Sequence, residues 1–362
     1  MEIGGRILPE ICRSRAGRRQ KKSCGRSSDP LQEPDLEPPI RREHIVSENK
    51  SYAFFQGEIV PEEDAKISIR THALQYGTGV FEGIRAYWNE EKNELFVFRM
   101  KEHYLRMLDN IKILHIECKH SAEELCDLTI ELLKKNAPKT DTYVRPFAYK
   151  ASIMVGPGLQ NNPSEFFIYT VPFGAYFKAE DGLKVMVSSW RRVDDNAIPP
   201  RAKISGAYAN TALAKTDAYN MGFDDCIVLD QNGHVAEGSA MNIYMVKNGE
   251  LITPPSYENI LVGITRNTIA EFAQKEFGIT VKERKIDRSE LYTADELFFC
   301  GTGAQVVPVV EVDKRKIADG KMGPTTKRIL DTYEAITHGK MDAYSHWLTP
   351  VYAAAGNKIG AR

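Results

Sequence analysis

Two short segments of this 362-residue chain combine residue types that could do covalent chemistry on an aldehyde. In segment 199–208, Lys203 lies among small residues between a predicted strand and a predicted helix. A lysine amine forms an imine when its environment lowers its pKa, and small neighbours let a planar ligand approach the backbone. In segment 235–242, the carboxylate of Glu237 could keep a pyridine nitrogen protonated, which lets the ring act as an electron sink. Taken singly, a solvated lysine and a surface turn are the more ordinary interpretations.

Two further segments have the form of anion-binding turns. Segment 261–266 opens a predicted helix, in which Gly263 gives backbone access and Thr265 is the predicted N-cap with a spare hydroxyl. The free N–H groups and positive dipole end of such a helix favour a phosphate. Thr302 follows a predicted strand and is flanked by glycines, so the amides of that turn could hold an anion as well. Each signal alone is more typical of simple capping or turning, but the four segments together describe a cradle for a phosphorylated pyridine aldehyde.

The elements that must position these residues are predicted to be short strands mixed with helices. A hairpin is predicted over 53–60, turning at Gln56-Gly57, and a helix over 101–114. This pattern predicts two α+β domains with a cleft between them, and a single irregular α/β domain is the alternative. The remaining predicted strands are 65–70, 94–99, 142–148, 165–171, 183–189, 225–229, 242–247 and 296–300, and the remaining predicted helices are 122–135, 207–221 and 263–274.

Changes in composition along the chain predict the domain boundaries. Residues 1–50 contain a basic stretch and then a stretch rich in Pro and acids, without a periodic apolar face. This predicts a disordered extension, with an organelle transit peptide as the alternative. A smaller N-terminal domain is predicted over 51–173, a glycine-bounded connector over 174–182, a larger cofactor-binding domain over 183–346 and a loosely structured tail over 347–362.

Composition argues against several classes of partner. The formal net charge is -1, so there is no general electrostatic reason to expect nucleic acid or an anionic membrane. No apolar run reaches the roughly eighteen residues that span a bilayer. The six cysteines are scattered and lack metal-site spacing, which predicts reduced thiols in a cytoplasmic protein without a metal.

Longer motifs extend over about residues 52–327 and carry a family resemblance. The landmarks are His72-Ala-Leu-Gln-Tyr76-Gly-Thr-Gly-Val-Phe81-Glu-Gly83-Ile-Arg85, Phe98-Arg-Met-Lys-Glu-His103-Tyr-Leu-Arg106, Tyr143-Val-Arg145-Pro146, the Lys203 segment, Glu237-Gly238 and Gly263-Ile-Thr265-Arg266. They resemble the class IV (fold type IV) aminotransferases, and within them the branched-chain amino acid aminotransferases. The resemblance implies a two-domain α+β fold with pyridoxal 5′-phosphate in the interdomain cleft. It also implies reversible ping-pong amino transfer between Leu, Ile or Val and 2-oxoglutarate, in a homodimer or higher homo-oligomer.

The resemblance further implies a role for each residue of the cofactor site. Lys203 is similar to the lysine that holds the cofactor and moves the proton between substrate Cα and cofactor C4′. Glu237 is similar to the acid that pairs with the pyridine nitrogen, and Tyr208 to the hydroxyl that bonds the phenolate oxygen. The implied phosphate-binding set is Arg106, Ile264, Thr265 and Thr302, and Leu261 and Gly263 complete the implied cofactor site.

Substrate recognition is implied in the same way. Tyr143 and the amides of Thr302-Gly303 resemble the holders of the α-carboxylate, and Arg145 resembles the group that takes the distal carboxylate of glutamate. The other implied substrate-binding residues are Tyr76, which a partner subunit would lend, Phe81, Gly83, Arg85 and Tyr176. The departures from the family pattern, which bear on the shape of the pocket, are Ala240, Val262 and Phe173.

Other class IV enzymes are the nearest alternatives, namely a D-amino acid aminotransferase or an aminodeoxychorismate lyase. The D-specific enzymes share an Arg-x-His carboxylate trap, whereas Arg145 is followed here by Pro146 and Phe147. A non-catalytic relative would be credible if Lys203 or Glu237 were replaced, and both are present. The ranking among Leu, Ile and Val and the direction of the reaction are left open.

Overall fold

The structure, a computed structural model, describes residues 51–174 and 182–353. A first sheet is antiparallel, and its eight strands are β1 (Tyr52–Phe55), β2 (Glu58–Pro61), β3 (Gly79–Phe81), β4 (Ile84–Asn89), β5 (Glu94–Phe98), β6 (Thr142–Lys150), β7 (Ser164–Pro172) and, from the far end of the described chain, β17 (Leu348–Pro350). In space they follow the order β17-β5-β4-β6-β7-β1-β2, with β3 paired to β6.

A second sheet, of nine strands, is mixed. Its strands are β8 (Leu183–Arg191), β9 (Asp225–Leu229), β10 (Val235–Gly238), β11 (Asn242–Lys247), β12 (Glu250–Thr253), β13 (Val281–Glu283), β14 (Glu296–Gly301), β15 (Gln305–Val312) and β16 (Arg315–Lys316). Their order is β10-β9-β8-β15-β14-β11-β12-β13, with β16 paired to β15. The pairs β8–β9, β8–β15 and β12–β13 are parallel.

The described α-helices lie between the strands in sequence. They are α1 (His72–Tyr76), α2 (Met100–Ile113), α3 (Ala122–Asn136), α4 (Tyr208–Asn220), α5 (Ile264–Phe277), α6 (Arg288–Leu291) and α7 (Pro324–Thr337). Short 3-10 turns occupy Glu62–Asp64, Ser205–Ala207 and Asp342–Trp347. Within residues 51–174 and 182–353, no helix is long and apolar enough to cross a membrane.

Strand β11 shows how the second sheet is covered on both faces. Ile243 and Met245 belong to one apolar core, whereas Tyr244 and Val246 belong to another that includes α5 and α7. Successive side chains of a strand point to opposite faces, so an uninterrupted apolar run is buried on both sides. The core on the α7 side also takes in Tyr87 of the first sheet. Packing on this side therefore links the two sheets.

Helix α2 joins the first sheet to the candidate site. It buries Tyr104, Met107 and Ile111 against the sheet, which is the apolar stripe that a helical repeat predicts. Leu105, placed on that stripe by its spacing in the sequence, is 47% exposed, because a residue one position along is rotated by about 100°. The same helix carries Arg106 toward the site described below.

The predicted mixed α and β fold and the hairpin at Gln56-Gly57 are confirmed. Gln56 and Gly57 have φ values of 50° and 93°, as a tight turn between two strands requires. The strand predicted over 65–70 is wrong, although the alternation there suggested one. These residues have no strand partner, and Ile69 is 84% exposed.

The chain after Trp347 differs from the predicted loose tail. Leu348–Pro350 pairs with β5, and the amides of the next three residues donate to the buried carboxylate of Glu94. Residues 354–362, the predicted extension 1–50 and residues 175–181 of the predicted connector lie outside the described residues. The division into two domains at that connector therefore stays a prediction.

Candidate active site

A cavity of about 430 Å³ is lined by residues from both sheets and from helices α2, α4 and α5. This volume lies within the range of small-molecule sites. Most of the residues singled out in the sequence line it: Phe81, Gly83, Arg106, Tyr143, Arg145, Lys203, Tyr208, Glu237, Leu261, Gly263, Ile264, Thr265, Thr302 and Gly303.

Backbone contacts with the first sheet hold Lys203 at this cavity. The Phe81 amide donates to the Lys203 carbonyl at 3.1 Å. Gly77, with a φ of 67°, lies so close to Gly206 that a Cβ on Gly77 would come within 2.6 Å of the Gly206 Cα. Small residues near Lys203 therefore serve close backbone packing as well as ligand access. The Lys203 amine itself donates a hydrogen bond to the Tyr208 hydroxyl oxygen at 3.0 Å.

The pKa of Lys203 is raised above its usual value. Burial by itself lowers this pKa, but the neighbouring acidic groups of Tyr208 and Glu82 have the larger combined effect. The condition stated from the sequence, an environment that lowers the pKa of the amine, is therefore not met by the protein groups alone. The reason is that the Tyr208 hydroxyl, five residues along the chain, lies against the amine, and that Glu82 comes close from another part of the fold.

Glu237 is a buried carboxylate contacted on both oxygens. Its Oε2 accepts from the Asn242 side-chain amide at 3.2 Å and from the Leu261 backbone amide at 3.3 Å. Its Oε1 lies 2.6 Å from the Arg192 Nε, in an ion pair whose N–H is not well aligned for a hydrogen bond. Burial raises the Glu237 pKa, opposed mainly by the charge of Arg192. A Cβ on Gly263 would lie 2.0 Å from the Asn242 Oδ1, so this arrangement requires a glycine there.

Arg106 and the start of α5 form a second set of donors. The Arg106 guanidinium reaches from α2 and donates to the backbone carbonyl of Val262, next to the helix start, at 2.8 Å. The first-turn amides of any helix have no partner within the helix. In α5 the N-cap residue is Gly263, so no N-cap side chain accepts a hydrogen bond from them either. The predicted N-cap is therefore wrong. The N-cap is Gly263, whose backbone is extended, and the helix starts at Ile264. Thr265 is therefore the second residue of the helix.

Tyr143 and Arg145 lie two residues apart on β6 and both line the cavity, as strand alternation requires. An Arg145 terminal nitrogen donates to the Tyr143 hydroxyl oxygen at 3.0 Å, and the guanidinium lies 4.5 Å from the centre of the Phe81 ring. A Cβ on Gly83 would lie 2.0 Å from that same hydroxyl oxygen. Gly83 therefore admits the Tyr143 side chain to the cavity wall.

Arg85 is placed differently from its predicted role. It does not line the cavity, and only 1% of its surface is exposed. Its guanidinium donates to the backbone carbonyls of Phe173 and Gly174, each at 3.0 Å, and of Gly303 at 3.3 Å. Arg85 thus holds the Thr302-Gly303 turn through its backbone and does not present donors to the cavity.

Two other predicted pocket residues are not part of this wall. The hydroxyl oxygen of Tyr76 accepts the Gly156 amide at 2.9 Å, away from the cavity of its own chain. Its contribution to a partner's site stays a prediction. Tyr176 lies outside the described residues.

Comparison with known proteins identifies the family. The model of the class IV amino-transferases matches residues 79–312. A probable branched-chain-amino-acid aminotransferase of Aquifex aeolicus is 51% identical over 85% of this chain and 99% of that protein. The chain belongs to the branched-chain group of the class IV aminotransferases.

Solved structures agree with this family. The branched-chain aminotransferase from Thermoproteus uzoniensis, crystallised with norvaline, has a TM-score of 0.80 and 42% identity, over 84% of this chain and 100% of that one. The T.th. branched-chain amino acid aminotransferase, complexed with N-(5′-phosphopyridoxyl)-L-glutamate, has a TM-score of 0.79 and 38% identity, over 83% and 99% of the two chains.

Sequence reasoning missed two buried charges of this aminotransferase site, Arg192 and Glu82. Glu82 had a usable signal. Phe81 and Gly83 are both expected at the pocket, so the residue between them faces the other way, into the protein. Arg192, just after β8, had none, because its partner Glu237 lies on β10 and the two meet only in the folded chain.

Cys300 also lines the cavity, as a buried thiol. Burial raises the pKa of the Cys300 thiol to about 12, so it is a neutral thiol at physiological pH. Over the part of the chain that the structure describes, no group of three His, Cys, Asp or Glu residues is placed to hold a metal ion.

Proposed function

We propose that this aminotransferase interconverts L-Leu, L-Ile or L-Val and 2-oxoglutarate with the corresponding 2-oxo acids and L-glutamate, using pyridoxal 5′-phosphate. One observation carries the proposal. The Lys203 amine, hydrogen-bonded to Tyr208, shares a single cavity with the Glu237 carboxylate and the Arg106 guanidinium. The norvaline and phosphopyridoxyl-glutamate complexes of the two related enzymes support the same substrate classes and cofactor.

The residues present fit this cofactor. The donor set supplies an amine, a buried carboxylate and a guanidinium beside an uncapped helix start, one for each functional group of a phosphorylated pyridine aldehyde. The close approach at Gly263 supports the fit, because a side chain there would displace Asn242 from the carboxylate of Glu237. Arg106 and the amides of Ile264 and Thr265 would hold the phosphate, and Glu237 the ring nitrogen.

Pyridoxal 5′-phosphate, when bound, supplies an aldehyde that condenses with amines and a ring that withdraws electrons. The Lys203 amine would carry the proton between the substrate Cα and the C4′ of the cofactor, in one direction in the first half-reaction and in the reverse direction in the second. The Tyr208 hydroxyl, 3.0 Å from this amine, orients it. Glu237, paired with Arg192, would provide the negative charge that a protonated ring nitrogen needs.

We place the substrate at the β6 wall of the cavity. Tyr143 and the Thr302-Gly303 turn would bind the α-carboxylate, and the aromatic ring of Phe81 would cover an alkyl side chain. Arg145 would bind the distal carboxylate of glutamate. Its guanidinium rests over the Phe81 ring, which lets one pocket present either an apolar surface or a positive charge.

Arg145→Ala is expected to lower kcat/KM for glutamate by about 10- to 100-fold, since a hydrogen bond to a charged group is worth about 1.5–3 kcal/mol. The loss for leucine should be much smaller, because an alkyl side chain makes no ion pair. Both values are measured in steady-state assays with saturating second substrate. Arg145→Lys keeps the charge without the planar fork and should fall between the two. Equal losses for both substrates would refute this role.

A substrate panel tests the proposed function itself. L-Leu, L-Ile and L-Val are compared with D-Ala and with aminodeoxychorismate as substrates of the purified, cofactor-saturated protein. We expect product only from the L-amino acids. A preference for D-Ala would make the chain a D-amino acid aminotransferase, and a preference for aminodeoxychorismate would make it a lyase.

We also propose that the protein is a cytoplasmic homodimer or a higher homo-oligomer. Two neighbouring segments expose large apolar side chains, including Ile69 at 84% and Val155 at 86%. Hydrogen bonds from His72 to Ser152 and from Gly156 to Tyr76 join these segments. A contiguous apolar patch of this kind is typical of an interface. Sedimentation at assay concentration should show no monomer, and a stable active monomer would contradict the proposal.

A further inference from the structure

Glu82 is a fully buried carboxylate that lies next to the cavity without lining it. Phe81 and Gly83, its neighbours in sequence, both line the cavity, whereas the Glu82 carboxylate points toward Arg106 of helix α2. There it forms a two-point pair with Arg106, with Nε to Oε1 and Nη2 to Oε2 both at 2.7 Å. This fork-to-fork geometry fixes the plane and the rotation of the guanidinium.

Two N–H groups of Arg106 remain for a ligand. A guanidinium has five N–H groups. Glu82 accepts two of the five from Arg106, and the Val262 carbonyl accepts a third at 2.8 Å. One N–H therefore remains on each terminal nitrogen, in a side chain that lines the cavity beside the start of α5.

His103 holds the carboxylate in turn. It lies one helical turn before Arg106 on α2, and its Nδ1 is 2.9 Å from the Glu82 Oε2. Burial lowers the His103 pKa, and although burial by itself raises the Glu82 pKa, the Arg106 charge and the hydrogen bonds bring it well below its usual value. A neutral imidazole beside a carboxylate must donate from Nδ1. His103 thus orients Glu82 without adding a charge.

We propose that Glu82, oriented by His103, is a positioning residue that fixes the Arg106 guanidinium for the phosphate of the cofactor. This rests on the proposed function, in which Arg106 binds that phosphate. Glu82 itself would not touch the cofactor. It acts by holding two of the five donors so that the two that remain for a ligand have a fixed direction.

A purely electrostatic role for Glu82 predicts the opposite effect. A buried negative charge near a phosphate repels it, so removing that charge would tighten phosphate binding. Removing a positioning group would weaken it. Glu82→Gln distinguishes the electrostatic role from the positioning role. Glutamine keeps the shape of the side chain but turns an N–H toward the donors of Arg106, so the guanidinium must shift. The sign of the change in affinity decides between the two roles.

The experiment measures the dissociation constants of pyridoxal 5′-phosphate and of pyridoxal, which lacks the phosphate, for the full-length apoprotein. The constant for pyridoxal divided by that for pyridoxal 5′-phosphate reports the phosphate contribution alone. We expect Glu82→Gln to reduce this ratio by about tenfold or more, as loss of a fixed charged hydrogen bond does. His103→Leu should reduce it in the same direction, and His103→Asn, which keeps an N–H near the Nδ1 position, should restore it.

A matched control uses another buried carboxylate, Glu94 of strand β5. Glu94 accepts three backbone amides after β17 and lies outside the cavity, so Glu94→Gln should leave the ratio unchanged. An unchanged or increased ratio in Glu82→Gln would overturn the positioning role, as would a ratio in Glu94→Gln that falls as far. If the wild-type protein binds neither compound, the proposed function fails instead. If Glu82→Gln does not fold, the comparison of His103→Leu with His103→Asn decides.

Discussion

Lys203→Ala is expected to abolish transamination, with a loss in kcat/KM of about 10⁴-fold or more. A positioned acid–base group contributes about 10²–10⁴-fold, and this variant also loses the amine that binds the cofactor covalently. The visible absorption band of the lysine-bound cofactor should disappear as well. Both are measured on protein saturated with pyridoxal 5′-phosphate.

Lys215 provides the control for this prediction. It also lines the cavity, and its amine lies 3.0 Å from the buried carboxylate of Asp225. Lys215→Ala should therefore keep the absorption band, whatever it does to the rate. A band that survives in Lys203→Ala and is lost in Lys215→Ala would assign the covalent bond to Lys215 instead. Absence of the band in the saturated wild type would reject the cofactor.

Glu237→Gln is expected to lower kcat with leucine by about 10²–10³-fold, the size of effect seen when a buried group that stabilises developing charge is removed. Glutamine keeps the shape and can still meet Asn242 and Leu261, but it carries no negative charge to hold a proton on the ring nitrogen. It also leaves the Arg192 guanidinium without its anionic partner 2.6 Å away. The lysine-bound cofactor band should remain, because Lys203 is unchanged.

The matched control is Glu258→Gln. Glu258 is another buried carboxylate, paired with Lys285 at 3.0 Å outside the cavity. Its removal should leave kcat close to that of the wild type. Comparable losses in the two variants would mean that any buried carboxylate matters to the fold. Wild-type kcat in Glu237→Gln would show that the ring nitrogen does not depend on this group.

Arg106 is a residue whose role the sequence predicts but whose contacts it does not. Its family motif predicts a residue that binds the phosphate, whereas its place on an amphipathic helix by itself predicts a solvated side chain. The structure places it at the cavity beside the start of α5. Its bond to the Val262 carbonyl joins residues 156 positions apart, and no local pattern contains that information.

Two glycines of the site also have a structural reason that the sequence does not reveal. Gly83 and Gly263 stand out in the motifs, Gly83 as an implied residue of the substrate pocket and Gly263 as a point of backbone access. The structure gives a sharper reason, since a Cβ at either position would lie 2.0 Å from a side-chain oxygen, of Tyr143 in one case and of Asn242 in the other. Those partners come from β6 and β11, which pack near the glycines only after folding.

The sequence by itself determined the mixed α and β class, most of the strands and helices, and a set of candidate residues, among them Lys203 and Glu237, that the structure brings to one cavity. These depend on local periodicity and on ordered motifs, which are properties of neighbours along the chain. Only the tertiary structure decided that Arg85 supports a turn, that Arg192 faces Glu237 and that Glu82 holds Arg106. Each of these contacts joins separate elements, so its geometry depends on how the sheets and helices pack.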